Sequence, residues 1–134
     1  MSRVLLQIAT AIVGLLTVVL AGMQITLGTQ SPVYAGANLP DFPVLDSNLR
    51  FFGGMGLGLG VILLTIVPSI EKHTKLFRAV WLCAFLGGVG RAISMFAVGI
   101  PPTAMVWFTV IELPCVPVFI WWQHRVAITS NASN

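Results

Sequence analysis

Four long apolar stretches separated by short polar segments dominate the chain, at residues 4–28, 47–70, 76–98 and 103–123. Each approximates the roughly 20 predominantly apolar residues that a helix needs to cross a bilayer. The apolar runs are unbroken and lack the period-two alternation of membrane strands, which excludes a β-barrel. The pattern therefore predicts an all-α polytopic membrane protein, one domain over residues 1–134 built as a four-transmembrane-helix up-and-down bundle. Arg3 precedes the first stretch as a basic residue precedes a signal sequence. The stretch exceeds the roughly 7–15 apolar residues of a signal peptide, so it is expected to stay as a span.

The polar segments set an orientation. Residues 29–46 form the longest connection, with Pro32, Pro40, Pro43, Asp41 and Asp46 and no base. The second connection carries Glu71, Lys72, His73 and Lys75, with Arg78 just beyond, and the third is the tight turn through Gly99, Pro101 and Pro102. In an up-and-down bundle Arg3, Lys72, Lys75, Arg78 and Arg125 all fall on one side. Lys and Arg mark the cytoplasmic side, so both termini are expected there, with Trp121 and Trp122 in the inner aromatic belt.

Composition agrees with the pattern. The chain is 57% hydrophobic and only 8% charged, against about 25% charged in soluble domains. Its mean hydropathy is +0.94. The net charge of +3 is explained by bases beside helix ends, so no nucleic-acid partner is expected. Cys83 and Cys115 lack CxxC spacing, which leaves no disulfide framework or thiol redox pair. His73 and His124 lie at the cytoplasmic face with too few neighbouring ligands for a metal, so neither metal nor cofactor is expected. No Ser/His/Asp order and no HExxH motif suggests catalysis.

Candidate chemistry lies inside the spans. A charge at the bilayer centre costs several kcal/mol and usually faces the protein interior with a partner. Arg91 stands about eight residues before Gly99, about 12 Å from the helix end, and Glu112 about ten residues after Pro102, about 15 Å from the same end. The matched depth predicts an Arg91–Glu112 pair, with Ser94 one turn along. It fits either a clamp that fixes helix register or a polar site. Asp46 or Ser47 is expected to cap the second helix, and Arg50 either snorkels to the interface or turns inward, toward Asp46 or a ligand anion, at the outer mouth of the same site. Gly54, Gly56, Gly58 and Gly60 satisfy GxxxG spacing and are expected to pack against neighbouring helices, which leaves Leu63 on a lipid face. Gly87, Gly88 and Gly90 are their plausible counterparts. Pro114 and Pro117 are expected to interrupt the fourth helix below Glu112.

The run Asp46-Ser47-Asn48-Leu49-Arg50-Phe51-Phe52-Gly53-Gly54, with Gly90-Arg91-Ala92-Ile93-Ser94-Met95, Gly99-Ile100-Pro101-Pro102 and Glu112-Leu113, resembles the domain of unknown function 4345 family. These are small bacterial membrane proteins similar to DoxX-like four-helix proteins. The resemblance covers nearly the whole chain. It implies a four-helix bundle and suggests that Asn48, Arg50, Arg91, Ser94 and Glu112 matter together; they are the expected ligand-binding residues, and the expected location is the cell inner membrane. It brings no established activity. The leading reading is a protein that holds a ligand, lipid headgroup or small hydrophobic molecule at a polar site in the outer half of the bundle. A structural or accessory subunit of a larger membrane complex or homo-oligomer is the alternative. A proton-coupled transporter or membrane enzyme using Glu112 is the third.

Overall fold

The apolar stretches fold as four helices, and the computed structural model describes residues 2–131 of the chain. They are α1 (Arg3–Leu27), α2 (Pro43–Ile66), α3 (Thr74–Ala97) and α4 (Thr103–Asn131). Short 3-10 turns follow α1 at Gly28–Gln30 and Pro32–Tyr34 and follow α2 at Val67–Ser69. Among the described residues there is no strand. All four helices are long and apolar enough to cross a membrane. Side chains such as Leu16, Val19, Leu82, Leu86, Val110 and Val118 remain exposed on their outer faces, as expected where the surrounding solvent is lipid.

Several boundaries differ from the sequence reading. α2 begins at Pro43, with Phe42 at the cap position, so neither Asp46 nor Ser47 is the N-cap. Proline suits a first helical position because its missing amide would have no partner there. Asp46 falls in the first turn instead, where an acid is favoured by the unpaired amides. α4 runs unbroken through Pro114 and Pro117 and continues to Asn131. The two prolines remove amide donors without ending the helix.

The helices assemble as two hairpins of unequal intimacy. α1 and α2 lie against each other along their length, α3 and α4 form a looser pair, and the two hairpins touch sparsely. Glycine makes the first hairpin tight. A Cβ on Gly53 would stand 3.1 Å from the Ala21 carbonyl oxygen, and one on Gly60 would stand 2.9 Å from Val18 Cγ2. Gly56 meets Ala21 more loosely, at 3.4 Å. The packing face is therefore Gly53, Gly56 and Gly60. Gly54 and Gly58, expected in it, are exposed and meet nothing within 4 Å. The reason is helical phase: positions three and four apart share a face, and Gly54 stands a full 100° from Gly53. In the same register Leu63 is 4% exposed and belongs to the core rather than to a lipid face. On α3 only Gly88 is closely packed, against Leu113 of α4, while Gly87 and Gly90 meet nothing.

The core lies at one end. Leu6, Leu63, Ile66, Ile70, Phe77, Val80, Trp81, Val116 and Val126 form one buried cluster at the end that carries the 67–73 connection, called here the terminal end. Trp81 stacks on Phe119 with ring centroids 4.3 Å apart. Polar groups tie the same end together. Gln123, fully buried, donates to the Ile70 carbonyl at 3.1 Å and to Thr74 Oγ1 at 2.8 Å. Gln7 donates to the Val67 carbonyl at 2.8 Å, and Arg3 pairs with Glu71 at 3.0 Å. These bonds satisfy carbonyls freed where α2 gives way to the 3-10 turn, which matters because unpaired backbone groups are costly away from water. Among the described residues, the opposite, far end holds no comparable cluster.

Candidate binding cavity

At the far end the two hairpins enclose a cavity of about 610 Å³ to which all four helices contribute. Its walls are largely apolar, from Leu20 and Ala21 of α1, Leu49 and Phe52 of α2 and Met105 of α4. The polar groups facing it are few: Gln24, Tyr34, Arg91, Ser94, Glu112 and Thr17. A largely apolar cleft with a small set of convergent polar groups is the usual form of a small-molecule site, commonly about 300–1,000 Å³.

The centre of the polar set is an ion pair across the second hairpin. Arg91 Nη1 of α3 donates to Glu112 Oε2 of α4 at 3.1 Å, with 43% and 35% of the two side chains exposed. The tight 98–102 connection sets the register that brings them level. Gly88, one turn below Arg91, lets α3 approach Leu113 closely and so holds α4 near enough for the contact. Ser94 lines the same cavity one turn above Arg91. Gly87 and Gly90, with open space where a Cβ would be, widen it on the α3 side.

Tyr34 was not singled out by sequence reasoning, and neither was Gln24. Tyr34 arrives from the connection between α1 and α2, where the Pro32–Tyr34 turn folds back against α1 and α4. Gln24 Nε2 donates to the Tyr34 hydroxyl. Burial pushes the Tyr34 phenol above its ordinary value, with Arg91 opposing in the other direction. The hydroxyl therefore stays protonated in the physiological range and is available as a donor. A glutamine near the end of an otherwise apolar helix and the single tyrosine of the chain were the available signals.

The structure does not bring Arg50 and Asn48 into this cavity. Arg50 lines a separate pocket of about 440 Å³ with Thr26, Thr29, Asp41 and Asp46. There its Nε donates to Asp46 Oδ2 at 2.7 Å, and its Nη1 donates to the Ile25 and Thr26 carbonyls at 2.7 and 3.0 Å. Arg50 thus caps the C-terminal end of α1, where carbonyls lack helical partners. Asp46 also accepts from the Thr29 amide at 3.2 Å. Gly28 makes the junction possible: its φ is +54°, and a Cβ there would lie 1.8 Å from Asp46 Oδ1. Asn48 is exposed and lines neither pocket. The reason for both misplacements is again phase, since Leu49 and Phe52 carry the cavity-facing side of α2.

The model of a domain of unknown function, DUF4345, matches residues 5–123. No curated protein and no solved structure matches the chain.

Proposed function

The chain belongs to the DUF4345 family, and on that premise we propose that it is a small multi-pass membrane protein that holds the polar head of an amphiphile between its two hairpins. Positive-inside orientation puts both termini in the cytoplasm and the cavity in the outer half of the bilayer, in the cell inner membrane. One observation carries the reading. The cavity sets Arg91, Glu112, Ser94 and Gln24, all borne on membrane-length helices, and Tyr34 of the α1–α2 connection among apolar walls, and polar groups inside a membrane are costly and usually functional.

Its opening favours a ligand that comes from lipid. The lining residues Phe52, Gly87, Gly90, Arg91 and Ser94 are all exposed, whereas those contributed by α1 and α4 are half-buried or buried. The mouth therefore lies between α2 and α3. A polar head seated on the ion pair would leave its apolar body in that gap, where Phe52 and Leu49 offer an apolar rim.

The test uses substitution into free space. Gly90→Leu puts a side chain into the cavity from a position where nothing lies within 4 Å of the added Cβ. Protein purified in mild detergent is expected to retain a bound amphiphile in native mass spectrometry, and Gly90→Leu is expected to lose it while melting at the temperature of the delipidated parent. Equal retention by both proteins would place the bound molecule elsewhere. Absence of any bound molecule, together with stoichiometric co-purification of a larger complex, would favour the accessory-subunit reading.

A further inference from the structure

We infer that the amphiphile is a zwitterionic phospholipid with a primary ammonium in its head group, its phosphate seated on Arg91 and its ammonium on Glu112. The inference rests on the binding reading above and deepens it by naming the charge pattern of the ligand.

The two charges are paired by a single contact. Only Nη1 of Arg91 and Oε2 of Glu112 take part. Among the described residues, no partner is recorded for Arg91 Nε or Nη2, or for Glu112 Oε1. A guanidinium has five N–H donors and a carboxylate about four acceptor positions, so most of the capacity of both groups remains open. It is open toward a cavity both residues line. The site therefore offers strong donors and strong acceptors side by side, about one hydrogen bond apart.

That arrangement discriminates among head groups. A purely anionic head would gain from Arg91 but would bring its charge against Glu112. A purely cationic head would meet the converse penalty at Arg91. Like-charge juxtaposition of this kind is a standard device for rejecting wrong ligands. A head with an anion and a cation a few bonds apart satisfies both groups and leaves their mutual contact intact. The remaining polar lining falls on the same pattern. Tyr34, with its hydroxyl accepting from Gln24, keeps its own proton to donate to a phosphate oxygen. Ser94 supplies a second hydroxyl donor, and the Gln24 carbonyl oxygen joins Glu112 as an acceptor for an ammonium. A primary ammonium has N–H groups to give these acceptors, and a quaternary one has none. The phosphate also suits the planar fork of an arginine.

The overall charge of the protein argues the other way, which makes the test sharp. A chain with net charge +3 attracts anionic lipids in general, so a preference for a net-neutral lipid has to come from the site. The full chain, delipidated in detergent, would be titrated in native mass spectrometry with phosphatidylethanolamine, phosphatidylcholine and phosphatidylglycerol of matched acyl chains. Phosphatidylethanolamine is expected to bind at least about tenfold tighter than phosphatidylglycerol, in line with one charge-assisted hydrogen bond, with phosphatidylcholine between them. Glu112→Gln is expected to abolish that preference while leaving phosphatidylglycerol bound. Gly90→Leu serves as the control that separates cavity binding from lipid on the outer faces. Equal or tighter binding of phosphatidylglycerol by the parent chain would overturn the zwitterion inference alone. Failure of every lipid to bind more tightly to the parent than to Gly90→Leu would overturn the binding reading beneath it. Should Glu112→Gln fail to fold, the parent's selectivity still decides the matter.

Discussion

Gly60 of α2 and Gly14 of α1 meet across the first hairpin, so that a Cβ on Gly60 would stand 3.1 Å from the Gly14 carbonyl oxygen. The neighbour on that side is backbone and cannot swing away. Gly60→Leu is therefore expected to push the helices apart and to lower stability by about 1–3 kcal/mol or more, as overpacking of a fitted interface does. Gly58→Ala, on an exposed face of the same helix, is expected to be neutral or to stabilise by up to about 1 kcal/mol, because alanine is the better helix former. Thermal melts of the two variants in one detergent check both, and a melt of Gly60→Leu at the parent temperature would refute the close-packing account.

Arg91 and Glu112 invite a double-mutant cycle. Removing one member of a fully buried pair costs about 3–5 kcal/mol. Here 43% and 35% of the side chains remain exposed, so Arg91→Gln and Glu112→Gln are each expected to lose less than that. The double replacement is expected to be milder than the sum by at least about 0.5 kcal/mol, the scale of coupling between residues in contact. Strict additivity in the unfolding free energies would show that the contact contributes nothing.

Gln123 is a fully buried polar side chain. Its amide bridges the 67–73 connection and the first residue of α3 from the side of α4. Gln123→Leu keeps the volume and leaves the Ile70 carbonyl without its donor, which costs about 1–3 kcal/mol. Gln123→Glu loses the donor and adds a charge, so it is expected to be worse than leucine. A leucine variant as stable as the parent would mean that the carbonyl finds another partner.

Topology is checked by cysteine labelling in a background with Cys83 and Cys115 replaced. Ala35→Cys is the better outer probe, because it is exposed, whereas Ser31 is only 2% exposed. With the cytoplasmic side defined by the clustered bases, Ala35→Cys is expected to react with an impermeant reagent on intact cells. Lys72→Cys is expected to react only after permeabilisation, and the reverse order would invert the protein in the membrane.

The four helices were legible because spans are written as length and apolarity, which need no partner to interpret. The meeting of Arg91 and Glu112 was legible too, since a tight turn makes depth a matter of counting along both helices. What depends on helical phase was not. One residue separates Gly53, which touches α1, from Gly54, which touches nothing. Likewise Arg50 and Phe52 sit two positions apart, yet Arg50 serves the end of α1 and Phe52 the cavity. Spacing alone is the same for either choice of phase. The placement of Tyr34 depends on how the α1–α2 connection folds, which is set by tertiary contacts rather than by local residue preferences. The contact of Arg50 with Asp46 is also readable from their spacing of four, whereas the cap role of Asp46 is not kept, because Pro43 starts the helix earlier.

The core cluster and the cavity occupy opposite ends of the same four helices. Leu6, Phe77, Trp81 and Val126 pack one end, and on the proposed reading the residues around Arg91 select what the cavity holds. The two sets have no residue in common, and stability effects at distant, independent sites tend to add rather than compound. A change of lining at Ser94, Met105 or Leu49 leaves the folded end undisturbed. If the cavity binds as proposed, what it holds is separable from what keeps the architecture.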